Sequence, residues 1–249
     1  MEPNLEALLQ RARAGEAEAR DILLTLLHSE GAPRAALLQR LHPETGRAHR
    51  VGLAGPVGVG KSTLLAHLAR GWRDEGRTVG LVTAESAGSK GEALGERLRL
   101  HELGREEGIL HHALPAALPP SSRNLSAGLV ADALEALGAD PILLEAPGLG
   151  VGEVELIRRS HSLVLVLIPD DLLLQAVQEG PWLDGADLVV LNHADREGSE
   201  AKAQLLRTRL DAAGRNQVPV VSTVGRSGEG VDRLARALAE HLETLRRDG

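Results

Sequence analysis

Leu5, Leu8 and Leu9, then Ile22, Leu23, Leu26 and Leu27, place apolar side chains three and four residues apart, the spacing of one helix face. The pattern resumes from Ala35 to Leu41, after Gly31 and Pro33. His42-Pro43-Glu44-Thr45-Gly46 then reads as a turn-rich hinge. Beyond it the texture changes. Short apolar runs at Val51–Ala54, Thr78–Thr83, Ile142–Glu145, Leu163–Ile168, Leu188–Leu191 and Val218–Ser222 alternate with helical patterns near 61–73, 126–138, 171–179, 199–213 and 229–246. Strands alternating with helices predict an α/β fold, a mostly parallel sheet covered on both faces as a three-layer sandwich. The expected organisation is an N-terminal helical segment over 1–46 and one α/β domain over 47–249, with no internal repeat. His111 to Ser122, with Pro115, Pro119 and Pro120, is expected to be a loop long enough to be functional.

Composition narrows the choices. The chain has 249 residues, no Cys, Phe or Tyr, and two Trp (Trp72 and Trp182). Without cysteine there is no disulfide and no Cys-ligated zinc or iron–sulfur cluster, which suits a reducing cytoplasm. The scarcity of aromatics argues against a stacking platform for single-stranded nucleic acid. A net charge of -7 gives no general attraction to nucleic acid or anionic membranes. The start, Met-Glu-Pro-Asn, shows no signal peptide, and the longest apolar run, Leu163 to Pro169, is a buried strand rather than a membrane span. A cytoplasmic protein without nucleic-acid or membrane partners is expected.

Gly55-Pro56-Val57-Gly58-Val59-Gly60-Lys61-Ser62 matches the phosphate-binding pattern G-x-x-x-x-G-K-[ST], with an apolar strand before it and an amphipathic helix after. Glycines let successive backbone N–H groups turn toward phosphate oxygens, and the helix N-terminus adds its dipole. Lys61 is placed to bridge the outer phosphates and Ser62 to offer its hydroxyl to magnesium. Lysine occurs elsewhere only at Lys90 and Lys202, in a chain that otherwise uses arginine. A compact ammonium at this position is therefore significant.

Ile142-Leu143-Leu144-Glu145 is a strand ending in an acid, with Gly148, Gly150 and Gly152 following. Parallel strands deliver their carboxyl ends to the ligand side of the sheet, so Glu145 is expected to face magnesium or the attacking water. An accidental Glu at a strand end is the plainer alternative. Asn192-His193-Ala194-Asp195 follows another strand and approximates the guanine reader N-K-x-D, with His193 in place of Lys. The same Asn-x-x-Asp spacing also occurs in helix-capping turns. After a phosphate loop, it favours guanine over adenine.

Taken in this order, the motifs make the chain similar to the MeaB/ArgK-type P-loop GTPases, chaperones of adenosylcobalamin-dependent methylmalonyl-CoA mutase once described as LAO/AO transport system kinases. The resemblance rests on Thr45-Gly46-Arg47-Ala48-His49-Arg50-Val51-Gly52 and on Leu94-Gly95-Glu96-Arg97-Leu98-Arg99-Leu100. Gly138-Ala139-Asp140 through Glu145 with Gly148-Leu149-Gly150, Ala186-Asp187, and Gly228-Glu229-Gly230-Val231-Asp232 extend it. It implies a P-loop NTPase fold in which Gly55, Val57, Gly58, Val59, Gly60, Lys61, Ser62 and Thr63 hold the phosphates. Ser62 and Glu145 would surround Mg2+, Lys61 and Glu145 would serve catalysis, and Asn192, His193 and Asp195 would hold guanine. Three positions depart from the family pattern. Thr83 stands where the family has Asp, leaving Glu85 as the nearest acid for the metal. Val151 stands where it has Gln, and His193 where it has Lys. The family's C-terminal dimerisation arm is not expected either, leaving a monomer or a dimer built by another surface.

The implied function is a GTP/GDP-binding switch with slow magnesium-dependent hydrolysis, acting as chaperone to a cobalamin-dependent acyl-CoA mutase. Two alternatives remain open: a degenerate nucleotide-binding module without turnover, and a metal-centre assembly GTPase using His101, His111 and His112. Those histidines lack metal-ligand spacing and read as exposed loop residues. Asp170 and Asp171 read as helix caps, and Lys202, Arg207 and Arg209 as solvated helix positions.

Overall fold

Ile142, Leu143 and Leu144 are all apolar because both faces of their strand are covered, the mark of a parallel sheet between two helical layers. The computed structural model describes residues 4–29, 31–84, 92–115, 120–146, 148, 160–174 and 182–248, with backbone alone for 92–97 and 120–124. In chain order the elements are α1 (Leu5–Arg13), α2 (Ala17–Leu27), α3 (Ala32–Leu41), β1 (Arg50–Ala54), α4 (Lys61–Asp74), β2 (Val79–Ala84), α5 (Glu92–Leu103), β3 (Ile109–Leu114) and α6 (Pro120–Ala136). Then follow β4 (Ile142–Glu145), β5 (Ser162–Leu167), α7 (Trp182–Gly185), β6 (Leu188–Leu191), α8 (Ser199–Ala212), β7 (Val220–Ser222) and α9 (Val231–Asp248). The seven strands lie in the order β3-β2-β4-β1-β5-β6-β7, and every pairing is parallel.

Side chains alternate between the two faces. Leu143, Val164, Val166, Leu188 and Val190 join α4, α5 and α9 in one core. Ile142 and Leu144 face the other way, into a core shared with α6 and with the leucines of α1, α2 and α3. Leu165, Leu167, Val189 and Leu191 pack against α8. Each such leucine contributes about 1.5–3 kcal/mol by leaving water. The N-terminal helices therefore share the core of the sheet rather than standing apart from it. Polar ties reinforce the join. The Glu135 carboxylate on α6 accepts from the Arg47 and Ala48 amides (2.5 and 2.9 Å) and from Arg50 (2.8 Å). Burial works against ionisation of Glu135, but these bonds outweigh it and hold its pKa below the usual carboxylate range.

The expected loop from His111 to Ser122 is corrected. Its first part is β3, the edge strand on β2, and Pro120 opens α6, a first-turn position where the missing N–H costs nothing; 116–119 lie outside the described residues. The helix expected over 126–138 thus begins six residues sooner, at Pro120. Residues 171–174 are helical, and 175–179 of the helix expected over 171–179 lie outside the described residues. Asp170 caps this turn by accepting from the Leu173 amide at 2.9 Å. Asp171 pairs with Lys202 on α8, where Arg207 pairs with Glu200 and Arg209 is exposed.

Candidate nucleotide site

From β1 the chain passes to β2 on one side, and from its neighbour β5 to β6 on the other, so the connections diverge and open a crevice at the carboxyl ends. The loop Gly55–Gly60 fills that crevice. A Cβ on Gly55 would stand 2.3 Å from the Val166 carbonyl oxygen, so only glycine lets the loop approach β5 this closely. Gly60 is in the left-handed region at φ +90, and a Cβ there would meet Asn192 Nδ2 at 2.4 Å. Gly60 also forms the N-cap of α4 without any side-chain cap. The first-turn amides of α4 and its dipole make an anion cradle there.

Lys61 is buried, and its ammonium donates to the carbonyls of Gly55 and Pro56, both at 2.9 Å. The adjacent Ser62 hydroxyl donates to Glu145 Oε1 at 2.5 Å, bringing two of the expected metal residues together. A hydroxyl and a carboxylate, both buried and both oxygen donors, fit a hard cation such as magnesium. Across the sheet Thr83 stands beside Glu145 in register, and its hydroxyl shares a hydrogen bond with His111 Nε2 at 2.9 Å. Burial lowers the His111 pKa to about 4, so this pair is neutral at pH 7. Glu85 and Val151 lie outside the described residues.

Asn192 at the end of β6 is buried and takes three bonds. Its amide donates to the Val59 carbonyl at 2.8 Å, while its oxygen accepts from Gly225 N at 2.8 Å and Thr223 Oγ1 at 3.1 Å. One side chain thus joins the phosphate loop to the turn after β7. His193 follows with φ 58, an uncommon left-handed position for a residue with a side chain. Burial lowers its pKa too. His193 lines a cavity of about 420 Å³ together with Gly60, Ser62, Thr63, Asn192 and Arg226. Asp195 lies on a neighbouring cavity of about 370 Å³, half exposed, with Arg226 at 4.0 Å. Val57, in the middle of the loop, is exposed, and Val59 is buried beneath it.

Thr223, Gly225 and Arg226 were not among the expected site residues. Their signal was positional: they follow the last strand, as Asn192 follows β6. His111 and His112, expected as exposed loop residues, sit on β3 and are partly buried, each with its pKa lowered to about 4 by burial. His112 Nε2 lies 3.2 Å from His28 Nε2 on the N-terminal segment, and His101 is exposed on α5. Among the described residues, no three His, Cys, Asp or Glu side chains gather as a metal site.

The family model described as "Methylmalonyl Co-A mutase-associated GTPase MeaB" matches residues 21–249. The chain belongs to the MeaB family of GTPases. A Pyrococcus horikoshii protein named as a GTPase is 31% identical over 260 residues, covering 100% of this chain and 81% of its own. The crystal structure of a LAO/AO transport system kinase has a TM-score of 0.78 at 23% identity, covering 100% of this chain and 78% of that one, a likeness of fold. A fused isobutyryl-CoA mutase of Nocardia farcinica is 28% identical over 257 residues, which span 96% of this chain and 23% of the mutase. Membership in the MeaB family accounts for the phosphate loop, the acid that ends β4 and the Asn192 motif occurring together on one parallel sheet.

Proposed function

We propose that this chain is a magnesium-dependent GTP switch with slow hydrolysis, which transmits its nucleotide state to a cobalamin-dependent acyl-CoA mutase. The observation that carries the nucleotide reading is the Asn192 clasp, which ties the phosphate loop to the turn where a base would be read. In this reading the amides of Gly58 to Thr63 and the Lys61 ammonium bind the β- and γ-phosphates, and Asn192 and Asp195 select guanine. Val57, exposed at the loop tip, stands over the outer phosphates. Ser62 and Glu145 would hold magnesium, which supplies charge neutralisation at the phosphates when bound. Slow turnover is expected because Val151 stands where the family has Gln. The mutase partner is supported by the family's description and by the relative in which a similar stretch is part of a mutase chain.

A second reading, a nucleotide-binding module without turnover, is favoured by one observation. The neutral Thr83–His111 pair occupies the place beside Glu145 where the family has a second acid. Phosphate release from GTP, absent in Lys61→Ala, separates the two. Tight GDP binding with no release in wild type leaves the module. Calorimetry with GDP and ADP tests the base: equal affinities would sink the guanine assignment. A mutase that neither alters GTP turnover nor co-elutes with the chain removes the partner.

A further inference from the structure

In the guanine-nucleotide reading the phosphates lie at Gly58 to Ser62 and the base at Asn192, His193 and Asp195, which puts the ribose between them, near Thr63. The cavity does not stop there. It runs on from Thr63 past Ala66 to His67 and Arg70, which lie at spacings of three, four and seven along one face of α4. Arg99 and Glu102 on α5 form its opposite wall. About 420 Å³ is the volume of a ligand pocket, and Arg70 stands seven residues, about 10 Å, along α4 from Thr63.

That end is charged. Glu106 fixes the Arg70 guanidinium through two bonds, at 2.7 and 3.0 Å. Arg99, which lines the cavity, is exposed and has no ion-pair partner among the described residues. Glu102 opposes these cations, and His67 stands against Gly228 of the turn before α9, closing the floor. Two guanidiniums at the far end of a nucleotide pocket suit phosphate, whose oxygens their planar forks match.

Building on the guanine-nucleotide reading, we propose that the Arg70–Arg99 end is a second anion subsite, which takes a phosphate carried on the ribose of a guanine nucleotide. Nucleotides of this class occupy both the phosphate loop and the subsite, and so compete with GTP for the switch. GDP fills only the first.

Calorimetry on the full chain with magnesium tests this, using GDP and guanosine 5′-diphosphate 3′-diphosphate. The 3′-phosphorylated ligand is expected to bind about tenfold tighter than GDP, the gain of one charge-assisted contact. The ratio of the two affinities should fall to about one in Arg99→Ala and below one in Arg99→Glu, an exposed position where folding is not at stake. GDP binding with no gain from the 3′-phosphates overturns the subsite alone, as does a gain that survives Arg99→Glu. Failure of GDP itself to bind overturns the nucleotide reading and the subsite with it.

Discussion

The two ends of the candidate nucleotide site are built differently. At the phosphate end Lys61, Ser62 and Glu145 are buried and held by bonds of 2.5 to 2.9 Å to one another or to the loop backbone. At the base end Asp195 is half exposed, Arg226 is 90% exposed, and they stand 4.0 Å apart. Buried polar groups must be fully bonded in place, whereas exposed ones are screened by water and contribute little until a ligand arrives. The phosphate end is therefore preorganised, whereas in the proposed reading the base end would acquire its order from the nucleotide. Asn192 belongs to both.

That contrast ranks the expected losses. Lys61→Ala removes the buried cation of the cradle and should weaken GDP by about 100-fold or more, with phosphate release lost. Calorimetry and a phosphate-release assay measure both, and a loss under tenfold would make the two ends equivalent after all. Asn192→Ala should come next. It leaves the Val59 carbonyl and the Gly225 amide without their partner, at about 2–4 kcal/mol in urea unfolding. Asp195→Asn should spare stability and reduce the preference for GDP over ADP by about tenfold, since an amide cannot accept both guanine donors. If stability fell instead, the base end would be structural.

The smallest effect near neutral pH is a slope of stability with pH at the phosphate end. His111 has a folded pKa of about 4 against an ordinary value near 6.5, so between these the unfolded chain binds the extra proton. Stability contributed by neutral His111 is complete above about pH 6.5 and declines as pH falls toward 4, by roughly 1 kcal/mol per pH unit. His111→Gln should flatten that part of the profile in denaturant melts from pH 7 to 4.5. His49, buried and hydrogen-bonded to Ser162 at 2.7 Å, has the same low value and should keep its share of the slope in the variant. An unchanged profile would show that His111 titrates as an ordinary exposed histidine.

How much of this was legible in the sequence follows from locality. The phosphate loop is a contiguous stretch whose glycines, Gly55, Gly58 and Gly60, all take positive φ, so its pattern and geometry coincide. The central strands were readable because burial on both faces makes them apolar throughout. β3 was not readable: an edge strand tolerates Leu110-His111-His112-Ala113, which lacks either periodicity, and the prolines after it suggested a loop when one of them opens a helix. The Thr83–His111 pair and the Thr223–Asn192 bond join residues 28 and 31 apart in the chain, which no local pattern encodes.

The position of β1 at the middle of the sheet has a consequence for how the chain comes to be folded. Val51 is flanked by Leu143 on one side and Ser162 on the other, both from the far half of the sequence. During synthesis the strand that carries the phosphate loop emerges early and finds no neighbour until most of the chain has left the ribosome. Loop closure on that scale is slow, and an apolar strand waiting for its partners is exposed to misassociation. The most recognisable motif in the sequence is thus among the last parts of the molecule to acquire its shape.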